Sequence, residues 1–141
     1  SGFRMEDFAS AEKGAQLTFV TSLDDRHPAA NIIDGSESTF WISTGLFPQE
    51  IIIALAGSVS ISKVKTWTTN ARRLEIHTCA DASPIKFEKV FDTELLDRQG
   101  RIQAETHTVR ASARFLKFVI TSGWDDFVAV HKVSLEGSLS G

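Results

Sequence analysis

The chain has 141 residues, a length that suits one domain built on a single core. Hydrophobic residues make up 42% and charged residues 23%, ordinary values for a globular protein, and the formal net charge is −3. That balance offers no positive field to hold a polyanion, which argues against nucleic acid as a primary partner, and no apolar run approaches the ~18 residues that mark a bilayer span. Cys79 stands alone, so no intramolecular disulfide is expected. No apolar run with a basic flank opens the chain, and a reduced, cytoplasmic location is the expectation. Met5 reads as a native start, residues 1–4 as a cloning remnant, and residues 5–137 as one folded unit.

In chain order, strand signals dominate. Residues 6–14 give a weak helical signal, flanked by Ser and Gly. Residues 17–22 alternate Leu17, Phe19 and Thr21 against Thr18, Val20 and Ser22. Residues 29–33 fit one helical turn. Residues 50–55 form a short apolar run rich in Ile, the mark of a buried strand. Residues 59–67 alternate through Val59 and Ile61, then lose phase near Lys63 and Val64, where a bulge would shift the register. Leu74, Ile76 and Thr78 alternate with Arg73, Glu75 and His77. Residues 87–91 and 101–109 read as further strands. Residues 114–121 are apolar on both faces and predict a central strand, and Val128, Val130, Val133 and Leu135 predict a last one with a second phase change. Breaks fall at Asp24-Asp25, Asp34-Gly35, Gly57-Ser58, residues 81–84, Gln99-Gly100 and Gly123. About eight antiparallel strands with turns between them predict an all-β sandwich or barrel, with no internal repeat.

The densest chemistry lies in residues 27–50, HPAANIIDGSESTFWISTGLFPQE. Asp34-Gly35 has two readings. An Asp side chain bonds back to its own backbone and Gly tolerates positive φ, which makes a turn. Alternatively, the loop folds over a hard cation, with the Asp34 carboxylate, the Thr39 hydroxyl and carbonyls near Asn31 and Ser36 supplying oxygens. The spaced acids of an EF-hand are missing. Among the aromatics Phe40, Trp41, Phe47, Trp67 and Trp124, core packing is the reading for Trp41, as for Phe115. Leu46 and Phe47, set between Gly45 and Pro48, belong to a surface loop and are candidate contacts, as is Trp124 in the turn before Phe127.

His27, His77, His107 and His131 show no zinc spacing, and His77 and His107 read as solvent-facing. No nucleophile elbow, phosphate loop or dinucleotide fingerprint is present, and Asp24-Asp25 and Asp125-Asp126 read as solvated caps. Lys63, Lys65, Arg72 and Arg73 form a local basic group that reads as a solvated face.

Three runs carry a family resemblance: NIIDGSESTFW, STGLFPQE and AVHKVSLEG. Together they resemble the intraflagellar transport protein 25 family, also called heat-shock protein beta-11-like, across about residues 6–137. The first run alone is shared with many galactose-binding-like (discoidin, or coagulation factor 5/8 C-terminal) domains. The resemblance implies a jelly-roll β-sandwich with a calcium-type site in the loop before Trp41, on Asn31, Asp34 and Thr39. In that group an acidic residue on the last strand completes the site, and here the matching position is His131. The resemblance further implies a non-enzymatic subunit of intraflagellar transport complex B, in cytoplasm and cilium or flagellum, that pairs stably with a Rab-like small GTPase, intraflagellar transport protein 27. The alternative is a carbohydrate- or lipid-headgroup-binding module, and a third reading is a hydrolase using His27 with Asp24 or Asp25.

Overall fold

The computed structural model describes residues 6–43 and 46–139, and the expectations about residues 1–4 and Met5 fall outside the described residues. Seven strands follow in order: β1 Gln16–Val20, β2 Trp41–Ile42, β3 Gln49–Thr69, β4 Ala71–Cys79, β5 Glu88–Glu94, β6 Gln103–Gly123 and β7 Ala129–Leu139. Two 3-10 turns, Ala11–Lys13 and Ala29–Ile33, are the helical elements among the described residues. Every pairing is antiparallel, in the order β2-β7-β3-β6-β4-β5, with β1 beside β3.

The count is seven, where the sequence predicts about eight. Residues 50–55 and 59–67 are one strand, β3, and residues 101–109 and 114–121 are another, β6, while the two-residue strand β2 is one the sequence does not predict. The Gly57-Ser58 break is not a chain reversal. The β3–β6 ladder shifts register between Ala54 and Val59, so the paired strands bend together and pass from one layer to the next. The first half of β3 pairs with β1, and the second half pairs with β7. One layer therefore holds β1, β4, β5 and the adjoining halves of β3 and β6. The other holds β2, β7 and the remaining halves.

Both predicted phase changes occur. The β3 register slips between Ile61 and Lys63 in both of its ladders. On β7 the partner of β3 steps from Lys132 to Val130, leaving His131 as the bulged residue. Burial drives the rest: Ile51, Leu74, Phe118 and Ile120 of one layer meet Thr66, Thr68, Val130 and Val133 of the other around a void of about 10 Å³. Each fully buried aliphatic side chain there contributes about 1.5–3 kcal/mol. Residues 114–121 lie in β6, which is flanked by β3 and β4, as the two-faced apolar run predicts.

Two polar side chains hold the layers in place. Buried Gln103 accepts at Oε1 from the Thr68 hydroxyl (2.8 Å) and the Ala71 N–H (3.1 Å). Its Nε2 donates to the carbonyls of Ala71 (2.7 Å) and Leu96 (2.8 Å), so all its capacity is used. His107 is buried, against the solvent-facing expectation. It shares the inward phase of β6 with Gln103 and Val109, its Nε2 lies 3.0 Å from the Thr66 hydroxyl, and the Phe91 ring packs 5.1 Å from its own. Burial pushes its pKa down, partly opposed by Glu105. His77 is half-buried and meets Glu75 at 2.8 Å.

Candidate functional site

The loop after the Ala29–Ile33 turn is shaped by its own residues. Ile32 and Ile33 are buried and pin the turn to the core. The chain leaves at Asp34 and reverses at Gly35, whose φ of +82° suits glycine. Asp34 Oδ1 accepts from the Ser36 N–H at 2.8 Å, and Oδ2 accepts from the Thr39 hydroxyl at 2.6 Å. Asn31 Nδ2 donates to the Phe40 carbonyl at 3.0 Å, which leaves its Oδ1 as the oxygen for any other contact. The predicted residues Asn31, Asp34, Ser36 and Thr39 thus share one small loop.

Three rings lie beside this loop. Phe40 stacks on His27 at 4.2 Å and lies 5.4 Å from His131. His131 Nε2 is 2.8 Å from the Thr69 hydroxyl. Its Nδ1 is buried without a well-aligned hydrogen-bond partner among the described residues, although the Glu37 main chain faces it. Burial pushes the His131 pKa down, and the Glu37 backbone opposes that shift.

As a donor set for calcium, the loop is right in kind. It offers a carboxylate, a hydroxyl, an amide oxygen and loop carbonyls, all hard oxygens. Of the loop's two carboxylates, Asp34 and Glu37, Asp34 is the one bonded to the Ser36 N–H and the Thr39 hydroxyl, and His131 brings nitrogen where an acid would add another charge. Among the described residues no group of three or more His, Cys, Asp or Glu side chains gathers at metal-binding distance.

The second candidate region is the end of the sandwich where the loops before β3, between β5 and β6, and before β7 meet. Buried Gln49 shapes the first of these. Its Oε1 accepts from Thr21 and Ser22 hydroxyls, both at 2.6 Å, and its Nε2 donates to the Leu46 carbonyl at 2.6 Å. Gly45 lies outside the described residues. Leu46 is left 85% exposed. Phe47 is not a projecting tip: it is half-buried, packed on the core, and its ring sits so close to Gly123 that a Cβ there would come within 2.6 Å of it. Trp124 is tethered. Its indole N–H donates to the Leu95 carbonyl at 3.0 Å, its backbone N–H to the Asn70 carbonyl at 2.8 Å, and the Arg72 guanidinium covers the ring at 4.6 Å. It remains 36% exposed, beside Phe127 at 53% and Leu96 at 67%. Leu96 gave no sequence signal, because an adjacent Leu pair does not say which member is buried, and it is Leu95 that packs inward.

The paired acids act as caps. Asp24 accepts from the Arg26 N–H at 3.0 Å, and that bond, with the guanidinium, holds its pKa down. Asp125 accepts from the Asp126 N–H at 2.7 Å. The basic group of the sequence is divided by the fold. Arg72 and Arg73 reach Glu94 (3.1 and 3.8 Å), whereas Lys63 and Lys65 lie on the outer face of the other layer. No helix among the described residues is long and apolar enough to cross a membrane.

Comparison with known proteins places this geometry. The F5/8 type C domain family matches residues 16–133. The chain is 39% identical over 133 residues to intraflagellar transport protein 25 of Chlamydomonas reinhardtii, covering 94% of this chain and 70% of that protein. It is 38% identical over 135 residues to the Mus musculus homolog of that protein, covering 95% and 94%. Among solved structures it is similar to the family 32 CBM from C. perfringens NanJ in complex with galactose, at TM-score 0.74 and 17% identity over 92% of this chain and 96% of that one. It is also similar to the C-terminal domain of a Bacteroides fragilis chitobiase, at TM-score 0.77 and 18% identity over 90% and 95%. These likenesses show the discoidin-type fold that residues 31–41 imply.

Proposed function

This chain belongs to the intraflagellar transport protein 25 family, and on that footing we propose that it is a non-enzymatic adaptor subunit of intraflagellar transport complex B, held in a stable heterodimer with a Rab-like small GTPase, intraflagellar transport protein 27. Its role is in intraflagellar transport, which points to the cilium or flagellum. The observation that carries the docking part of this reading is the apolar loop end, where Leu46, Leu96, Trp124 and Phe127 stay exposed on a rigid frame. A stable heterodimer needs roughly 1,000 Å² with an apolar centre, and Trp is a frequent anchor in such centres. Phe47 supports the end from beneath, holding Leu46 in place by packing on the core.

Co-expression with the GTPase followed by size-exclusion chromatography tests this reading. Leu46→Asp with Trp124→Lys should abolish co-elution while circular dichroism shows an intact fold. Unchanged co-elution of a folded double variant would move the interface elsewhere. The carbohydrate-binding alternative, which the C. perfringens CBM brings to mind, is disfavoured at Trp124, because Arg72 already covers the ring and the indole N–H is spent. A glycan array with sub-millimolar binding would revive it.

Calcium in this reading is structural. Asp34, Thr39, Asn31 and the Ser36 carbonyl would hold it, and its charge would clamp the loop against β7. A ligand at 100 times its dissociation constant stabilises by about 2.7 kcal/mol. Millimolar calcium should therefore raise the melting temperature of the protein but not of Asp34→Ala. An unchanged melting temperature in both removes the metal.

A further inference from the structure

The outer face of the layer containing β7 carries an arrangement the docking end does not use. Inward-facing Val64, Thr66 and Thr68 leave Lys65 and Trp67 of β3 pointing outward. Trp67 is nevertheless only 8% exposed, because lysines cover it. Lys65 Nζ lies 4.6 Å and Lys132 Nζ 4.8 Å from its ring centroid. Lys132 reaches it across the ladder, directly opposite Trp67. Hydroxyls flank the pair, since Thr106 and Ser134 are the cross-strand partners of Lys65. Lys63 follows on the same strand.

None of these three lysines has a carboxylate at ion-pair distance among the described residues. The nearest acids are committed or offset. Asp7 feels Lys132, but its Oδ1 accepts the N–H of Leu135 (2.9 Å) and of Ala9 (3.0 Å). Glu136 sits opposite Lys63 in register without pairing with it. Two ammonium groups are thus drawn to one indole by its quadrupole. Both lie so near its centre that they are within about one Debye length (~10 Å at 0.1 M salt) of each other, where their repulsion is poorly screened. An anion seated between them removes that repulsion and accepts hydrogen bonds from both, at a site whose rigid aromatic base costs little entropy to order.

We infer that Lys65 and Lys132, held over Trp67, form a docking site for an acidic segment of a protein partner, separate from the apolar loop end. Carboxylates of that segment bridge the two ammonium groups, with the Thr106 and Ser134 hydroxyls beside them. An anionic membrane is the poorer occupant. A net charge of −3 opposes adsorption to an extended anionic surface. A short acidic segment is small enough to meet the local field alone.

The test uses a fluorescein-labelled peptide of alternating glutamate and serine, with fluorescence anisotropy read at low and at physiological salt. The protein should bind the peptide, more weakly as salt rises. The pair Lys65→Gln and Lys132→Gln should weaken binding about tenfold or more, equivalent to ~1.4 kcal/mol, without lowering the melting temperature. Lys65→Arg with Lys132→Arg should bind close to the unaltered level, and Leu46→Asp should leave the affinity unchanged, which separates this site from the loop end. Absence of binding at low salt overturns the inference, as does equal binding by the Gln pair. So does co-sedimentation with phosphatidylserine-containing vesicles by protein that ignores the peptide.

Discussion

At the scale of single residues, the polar groups buried between the layers set the pH response. His107 is kept neutral by burial, so the fold refuses a proton that the unfolded chain accepts near its ordinary value of 6.5. Stability from this source is complete above that value and declines as pH falls below it, toward the lowered folded pKa. His131 acts in the same direction, also through burial. Asp7 has the opposite sign at lower pH. Its carboxyl is raised above 3.8 by burial, more than its backbone bonds lower it, so stability is lost as pH rises through its titration. The melting temperature should therefore fall as pH drops below 6.5, and His107→Gln, which can still reach Thr66, should flatten part of that slope. An identical slope in the variant would assign the effect elsewhere. His107 also shows what alternation conceals. A polar residue between Thr106 and Thr108 reads as outward when the true inward set is Gln103, His107 and Val109. Its partner Thr66 lies on the neighbouring strand β3, 41 residues away in sequence, a contact that no local pattern contains.

At the scale of elements, what binds one strand to the next is often a single side chain. Gln103 ties the start of β6 to the β3–β4 turn and to the loop after β5 through four hydrogen bonds. Gln103→Leu keeps the volume but strands the Ala71 N–H and C=O and the Thr68 hydroxyl in the interior. Each unsatisfied buried group costs about 1–3 kcal/mol, so a loss of roughly 3 kcal/mol is expected as a lower urea midpoint at unchanged slope. A loss under about 1 kcal/mol would mean that water enters to replace the amide. The strands themselves were legible where alternation ran clean, as in Leu74, Ile76 and Thr78 of β4. The bulges were legible too, because an extra residue inverts the alternation on one side of it, at Lys63 and again at His131. The continuity of β3 and β6 was not, since Gly57 serves a bend between layers as readily as a hairpin turn. The loop of Asn31, Asp34 and Thr39 was legible because its bonds span nine residues or fewer. The contacts of His131 with Phe40 and Thr69 join distant parts of the chain, and only the family resemblance pointed to that position. Trp67 was the reverse case: a tryptophan in a strand reads as core, yet it is buried by lysine stems on the outside.

For the molecule as a whole, the two 21-residue strands β3 and β6 each belong to both layers. Neither layer has an edge at which it separates from the other without breaking both ladders. Thermal unfolding should accordingly be one transition, with a calorimetric enthalpy equal to the van't Hoff enthalpy and a heat-capacity increment of roughly 1.7–2.1 kcal/mol/K for 141 residues. Two resolved transitions would show that the layers unfold separately. The same continuity bears on how the domain would carry a mechanical load. A tug along the axes of β3 and β6 passes through covalent bonds into both layers at once. The antiparallel ladders then share the load in shear, many bonds yielding together, instead of peeling apart one rung at a time.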